Sequence, residues 1–402
     1  MLMLASVRQL SAGSRMVVAL IGGRLVYRLA LYTAGLGLLA FWGPTVFAGY
    51  AGAIGAVGWL FALTSSGPEK AALTFMPVGA GASLERLFIR LAVTPFALLL
   101  VGWLVTVLVA PSAGIQVAAA ALMAGVGCSA VLVGLYRIHG RPLADVLAYL
   151  AIAASYGLVL ALAVLAGLSV HGVLAVLIGC LLVVDLVLVI GLLRRASHER
   201  PTPAATKLAL QASVVLGVGE LLETAATSVL YAFLAIAGDA RETSFFYVLM
   251  IVAGSMSVGW SYLLRLARPR LVSWLATASG GTGRALVRRM AAWTFGPGVL
   301  LTGALVLVAV AWGSSRPIAL LTLVVEVLLY FAITAAAVVL ESVDARGRHG
   351  SAGGAILQFA AVAIAAWWFI PAAGAAGAFS ALCIGCLVKA AVLYRISAVV
   401  ED

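Results

Sequence analysis

The sequence predicts an all-α polytopic membrane protein of about twelve transmembrane helices, and three observations carry that prediction. Of its 402 residues 64% are hydrophobic and only 10% charged, with a mean hydropathy of +1.17, a balance that soluble domains do not have. Apolar runs long enough to cross a ~30 Å hydrocarbon core recur from end to end and leave no stretch for a sizeable aqueous domain. The formal net charge of +11 would point to nucleic acid in a soluble chain. Here the basic residues flank apolar spans, the signature of membrane topology, so no nucleic-acid partner is expected.

Hydropathy places the spans near 16–42, 46–67, 87–110, 115–136, 143–167, 171–193, 205–236, 243–264, 286–312, 317–340, 353–370 and 374–396. The connections between them alternate in character. One set is short and holds only Arg241 and Arg316; the other carries most of the Lys and Arg residues, from Lys70 and Arg86 to Arg346 and Arg348. The positive-inside rule then puts both termini in the cytoplasm, and an even span count agrees. The apolar run at the N-terminus is too long, and too interrupted by arginine, for a cleaved signal. The four glycines Gly49, Gly52, Gly55 and Gly58 of the second span read as a packing stripe.

The segment RRASHERPTPAAT, with two prolines and a cluster of charge, divides the chain into a six-span lobe over 1–196 and a second over 197–402. Both lobes start on the same side, so they read as a parallel repeat about an axis normal to the membrane.

Ionisable residues inside the spans are the candidates for function. Arg24 and Arg28 interrupt the first span; counted from Met16 at ~1.5 Å per residue they fall roughly 12 and 18 Å deep, one above the other on one helix face. An arginine at mid-bilayer costs on the order of 2.5–3.5 kcal/mol, so the pair either snorkels or meets acids in a purely structural way, or, the better reading, lines a water-filled cavity that holds an anion. The seventh span bears Glu220 and Glu223 with Thr224, Thr227 and Tyr231 at helical spacing, a polar stripe that should avoid lipid. Two compatible readings of these acids stay open: they pair with Arg24 or Arg28, or one of them takes up a proton when the cavity changes state. Ser261 and Arg265 close the eighth span as candidate cavity lining. Asp185 and Glu326 read as structural acids with interhelical partners, and Lys389 and Arg90 as residues that snorkel to the cytoplasmic face.

Other chemistry is not expected. Cys383 and Cys386 make a CxxC inside a helix without further ligands, the histidines are scattered, and neither a metal nor a cofactor is predicted. The outer loops are only a few residues long, with Asp239 and Glu242 as their acids, too little for a glycosyltransferase or ligase acting on lipid-linked sugars. The chain reads as a non-enzyme.

Three stretches carry a family resemblance. FWGPTVFAGYAGAIGAVGWLFALTSSGPEKAALTFMP (41–77) resembles the segment after the first helix of polysaccharide (Wzx-type) flippases, where an LGPxxYG turn leads to GLEKAxxRF. RLARPRLVSWLATASGGTGRALVRRM is similar to that family's stretch after the eighth helix, and FIPAAGAAGAFSALCIGCLVKAAVLYRI to its IPxYGAxGAAxAT approach to the last helix. The family belongs to the multidrug/oligosaccharidyl-lipid/polysaccharide (MOP) exporter superfamily, with lipid II flippases and drug antiporters. The resemblance implies two six-helix lobes in a V, helices one, two, seven and eight around a central cavity, and alternating access. The chain departs from it in its very short loops, in Phe47-Ala48-Gly49-Tyr50 at the first turn, and in lacking the two additional spans usual in lipid II flippases.

The expected function is therefore a flippase that moves a polyprenyl-(pyro)phosphate-linked oligosaccharide or related cell-envelope glycolipid from the inner to the outer leaflet of a bacterial inner membrane, with Arg24 and Arg28 on the headgroup phosphate. Its expected partners are this lipid-linked glycan, membrane lipids, and glycosyltransferases or a polymerase of the same pathway. The rivals are a cation-coupled drug exporter of the same superfamily and a non-transporting scaffold of an envelope-polymer assembly.

Overall fold

The computed structural model describes residues 2–76, 81–110, 113–195, 201–237, 239–277, 280–313, 316–343 and 345–398. They form eleven helices in the order α1 (Leu2–Ala56), α2 (Trp59–Phe75), α3 (Gly81–Val109), α4 (Gly114–Ile138), α5 (Pro142–Ala166), α6 (Val170–Leu193), α7 (Pro203–Ala237), α8 (Ala240–Thr277), α9 (Gly280–Trp312), α10 (Arg316–Val343) and α11 (Ala345–Ala398). Among the described residues there is no strand.

Ten stretches of this helix are long and apolar enough to cross a membrane. Two of them are too long for a single crossing: the 54 residues of Ala19–Ala72 and the 50 of His349–Ala398 would reach ~80 and ~75 Å at ~1.5 Å per residue, against ~30 Å of hydrocarbon. Each is broken at a glycine whose positive φ is strained for other residues, Gly43 (φ 72°) in α1 and Gly374 (φ 51°) in α11. The reversal of α11 is visible in its own packing: Gly350 lies on Ile396, Gly354 on Val392, and Gly385 on Val362. Among the described residues, counting each of these two stretches twice gives twelve segments of crossing length, and the bends at Gly43 and Gly374 fall beside the short connections that hydropathy put at 43–45 and 371–373. The glycine stripe of the second crossing ends in a break between α1 and α2, where Gly58 N–H bonds to the Gly55 carbonyl at 3.2 Å.

The chain forms two compact units, Met1–Gly217 and Val218–Asp402. In the first unit α1 and α5 run parallel: Arg24 is level with Asp145, Gly37 abuts Leu160, and the Trp42 indole N–H donates to the Leu168 carbonyl at 3.0 Å. Helices α2, α4 and α6 are likewise parallel to one another, through Thr64 against Gly127 and Ser129 against Asp185. Glycines set the closest approaches, since a Cβ at Gly127 would strike the Thr64 hydroxyl and one at Gly67 the Ser213 carbonyl. The last of these contacts draws residues 203–217 of α7 onto α2, with Ser66 Oγ donating to the Gly217 carbonyl at 3.4 Å. The units therefore part inside α7, whereas the 196/197 division expected from sequence falls within residues 196–200, outside the described residues.

The second unit has an apolar core in which Leu230 and Tyr231 of α7, Phe246 of α8, Ile318 of α10 and Phe379 of α11 are buried together. Phe246 sits 5.0 Å from both the Tyr231 and the Phe379 rings. A second cluster joins Val287 of α9, Ile333 of α10 and Leu393 of α11. The two acids of the outer loops hold turns: Asp239 Oδ1 caps α8 by accepting from Arg241 N at 2.9 Å, and Glu242 Oε2 accepts from Ala375 N at 2.8 Å, beside the bend of α11.

Candidate functional site

In the first unit, four charged side chains from four helices form one chain of ion pairs. Arg24 of α1 donates to Asp145 of α5 (Nη2 to Oδ2, 3.3 Å); Arg137 of α4 approaches the same oxygen (Nε, 3.2 Å) and donates to Glu69 of α2 (Nη2 to Oε1, 2.5 Å). Beside them His139 Nε2 lies 3.5 Å from Glu85 Oε1. Local sequence explains the meeting. Arg137 is in the last turn of α4, where cations suit the helix dipole, and Asp145 is in the first turn of α5 after Pro142 at its N-terminus, where anions do. Two arginines and two acids make the quartet formally neutral.

This corrects the depth given to Arg24. Hydropathy counts from Met16, but α1 already begins at Leu2, and its height is set by α5 rather than by where the apolar run opens. Asp145, three residues into α5, fixes Arg24 about 5 Å inside that end of the bundle, not at its middle. Arg24 also stands over the Tyr149 ring at 5.2 Å. Arg28 is one turn deeper and half-buried, with its guanidinium 5.7 Å from the Tyr27 ring, and it makes no ion pair among the described residues.

In the second unit, Glu223 of α7 pairs with Lys389 of α11, whose side chain is 4% exposed against 22% for Glu223. One expectation, that of a snorkelling Lys389, is corrected by this pair. Within its own unit Glu223 is answered by Lys389, and Lys389 does not snorkel: fifteen residues beyond the Gly374 bend, its stem packs on Gly354 and its ammonium turns inward. The Tyr330 phenol of α10 hydrogen-bonds the Ser261 hydroxyl of α8 and feels the charges of Glu223 and Glu220 of α7 and Glu326 of α10. The neighbouring Trp260 stacks on Phe331 and donates to its carbonyl at 3.0 Å, which holds α8 against α10.

The remaining candidates are placed as follows. Thr224 is half-buried and spends its hydroxyl on the Glu220 carbonyl (2.8 Å), while Thr227 is half-buried on the same helix. Tyr231 is 5% exposed and belongs to the apolar core, so the cavity-lining role expected for it is corrected: its ring is needed against Phe246. The Arg265 side chain lies outside the described residues. Asp185 has the interhelical partner expected, Ser129 Oγ at 2.5 Å. Sequence reasoning passed over Asp145 and Glu69 and took Arg137 as a topology residue; the available signal was an acid in the first turn after a helix-opening proline.

Against known proteins, no family model matches the chain, and no curated protein matches it in sequence. Solved structures do match over nearly the whole length. An inward-facing multidrug resistance MATE family transporter of the MOP superfamily superposes with a TM-score of 0.58 at 15% identity, covering 92% of this chain and 95% of that one. The lipid II flippase MurJ in an inward closed conformation gives 0.60 at 11% identity, covering 94% and 87%. A MATE protein in complex with MaL6 gives 0.50 at 15% identity, covering 96% and 97%.

Proposed function

On the multi-pass fold that it shares with MATE transporters and MurJ, we propose that the chain is an alternating-access flippase for a lipid-linked anionic glycan, resident in a bacterial inner membrane with both termini cytoplasmic. The observation that carries the reading is Arg28: a half-buried guanidinium on a membrane-crossing helix, one turn past the neutral quartet, without a carboxylate partner among the described residues. A phosphate oxygen is the partner that a guanidinium fork fits best. Arg24, already held by Asp145, completes a two-arginine ladder along which a headgroup moves inward. The lipid tail stays in the bilayer. Carrying negative charge outward is driven by an inside-negative potential, which contributes ~2.3 kcal/mol per charge per 100 mV, enough for transport without ATP. Glycosyltransferases or a polymerase of the same pathway would supply and consume the cargo.

The test is flipping of a fluorescent polyprenyl-phosphate-linked sugar in proteoliposomes. Arg28→Ala leaves the quartet intact, and its rate should fall on the order of 10–100-fold, the worth of one or two charge-assisted hydrogen bonds. Arg24→Ala combined with Arg28→Ala should abolish flipping in a folded protein. Full activity of that double variant would refute the assignment. The rival, export of an organic cation, predicts instead that such cations compete with polyprenyl phosphate for binding.

A further inference from the structure

The second unit carries a groove that neither charge cluster uses. Its volume is about 450 Å³; Phe295 and Val299 of α9 form one wall, Ile384, Val388 and Ala391 of α11 the other, and Arg395 is the last lining residue along α11. Sequence builds it in three ways. Residues 384, 388, 391 and 395 recur at helical spacing, so the apolar stripe of α11 runs straight into an arginine. Pro297 removes a backbone hydrogen bond within α9 and loosens the helix beside the groove. Gly298 brings α9 down onto Leu387 and Leu329, where a Cβ would be 2.7 and 2.8 Å from their methyls, while a Cβ at Gly296 would meet open space. The floor is therefore closed and the mouth open, with Phe295 and Val299 each 42% exposed.

We infer that this groove is a binding site for a bilayer phospholipid with an anionic headgroup, one acyl chain lying between α9 and α11 and the phosphate on Arg395. Two observations choose that occupant. From Ile384 to Arg395 the groove runs about 16 Å, half of the ~30 Å hydrocarbon core, the depth of one leaflet and too short for a polyprenyl chain. Its walls are apolar throughout, and its single charge is a cation at the arginine-rich end of the bundle, where Arg284 and Arg288 of α9 lie on the same helix stripe as Phe295. A neutral lipid would leave Arg395 unanswered. A free anion would leave the apolar walls unused.

Native mass spectrometry of the full-length protein, with equimolar phosphatidylglycerol, phosphatidylethanolamine and a polyprenyl phosphate, tests this. The wild type should retain one phosphatidylglycerol about fivefold over phosphatidylethanolamine. Arg395→Gln should erase that preference, and Ala391→Trp, which fills the groove, should remove the bound lipid. Equal retention of all lipids by the wild type, or a preference unchanged in both variants, overturns the inference. So does displacement of phosphatidylglycerol by the polyprenyl phosphate, which would give the groove to the cargo. Melting temperatures of both variants verify that they are folded, and a lipid-facing substitution away from the groove, Leu307→Trp, serves as the control for added bulk. The site makes no use of Arg24 or Arg28, so the Arg24→Ala, Arg28→Ala protein should keep its phosphatidylglycerol whether or not it flips.

Discussion

The two units solve the same problem, charge inside an apolar bundle, in opposite ways. The first gathers Glu69, Arg137, Asp145 and Arg24 near one end, where the arginine side chains keep about a quarter of their surface exposed (25% and 26%). The second sinks Lys389 to 4% exposure and pairs it with the carboxylate of Glu223. A quartet with water at its margin can lose a member and be rescued by solvent; a buried pair cannot. Charge in the first unit is thus available for rearrangement, and charge in the second holds structure.

The sharpest way to break the contrast is to remove one partner of the buried pair. Glu223→Gln strands an ammonium that has almost no access to water, and should cost on the order of 3–5 kcal/mol, read as a fall in melting temperature of the detergent-solubilised protein. Adding Lys389→Met should restore most of that loss. If the single variant melts like the wild type, the pair does not bear on stability and the contrast fails.

A smaller effect is expected in the first unit. Asp145→Asn leaves Arg24 and Arg137 without their shared acid, but both retain solvent, so a loss of about 1–2 kcal/mol is expected. The same melting assay, run at low and high salt, should show this variant responding to ionic strength more than Glu223→Gln does.

The smallest effects separate the two bends, one in each unit. Gly43→Ala meets nothing within 4 Å and should cost only the left-handed strain, ~1 kcal/mol. Gly374→Ala adds a Cβ 2.5 Å from Glu242 Oε2 and should cost more, because it also displaces the carboxylate that holds Ala375 N–H. Equal losses at the two positions would mean that the Glu242 contact contributes nothing.

The bundle was legible in the sequence because bilayer thickness imposes a length on every span, and glycines such as Gly43 and Gly374 mark where the long apolar stretches bend. Heights and partners were not legible. Arg24 took its depth from its register against α5, a contact 121 residues away in the chain. Lys389 looked like an anchor by its distance from the last cytoplasmic residues, and only the hairpin of α11 turns it onto Glu223. Tyr231 shared a stripe with Glu220 and Thr224, but helical spacing alone does not say that Phe246 covers that turn. Hydropathy reads one helix at a time, whereas the polar sites here are properties of pairs.

The bend at Gly374 also bears on how the protein is made. Both apolar clusters of the second unit draw on the arm that follows it, through Phe379 in one and Cys383, Leu387 and Leu393 in the other. Until the ribosome has delivered that arm, Phe246 lacks its Phe379 neighbour and Glu223 lacks its lysine. Completion of both clusters thus waits on the last stretch of the chain to be synthesised, so substitutions near the C-terminus act on the packing of the whole second unit.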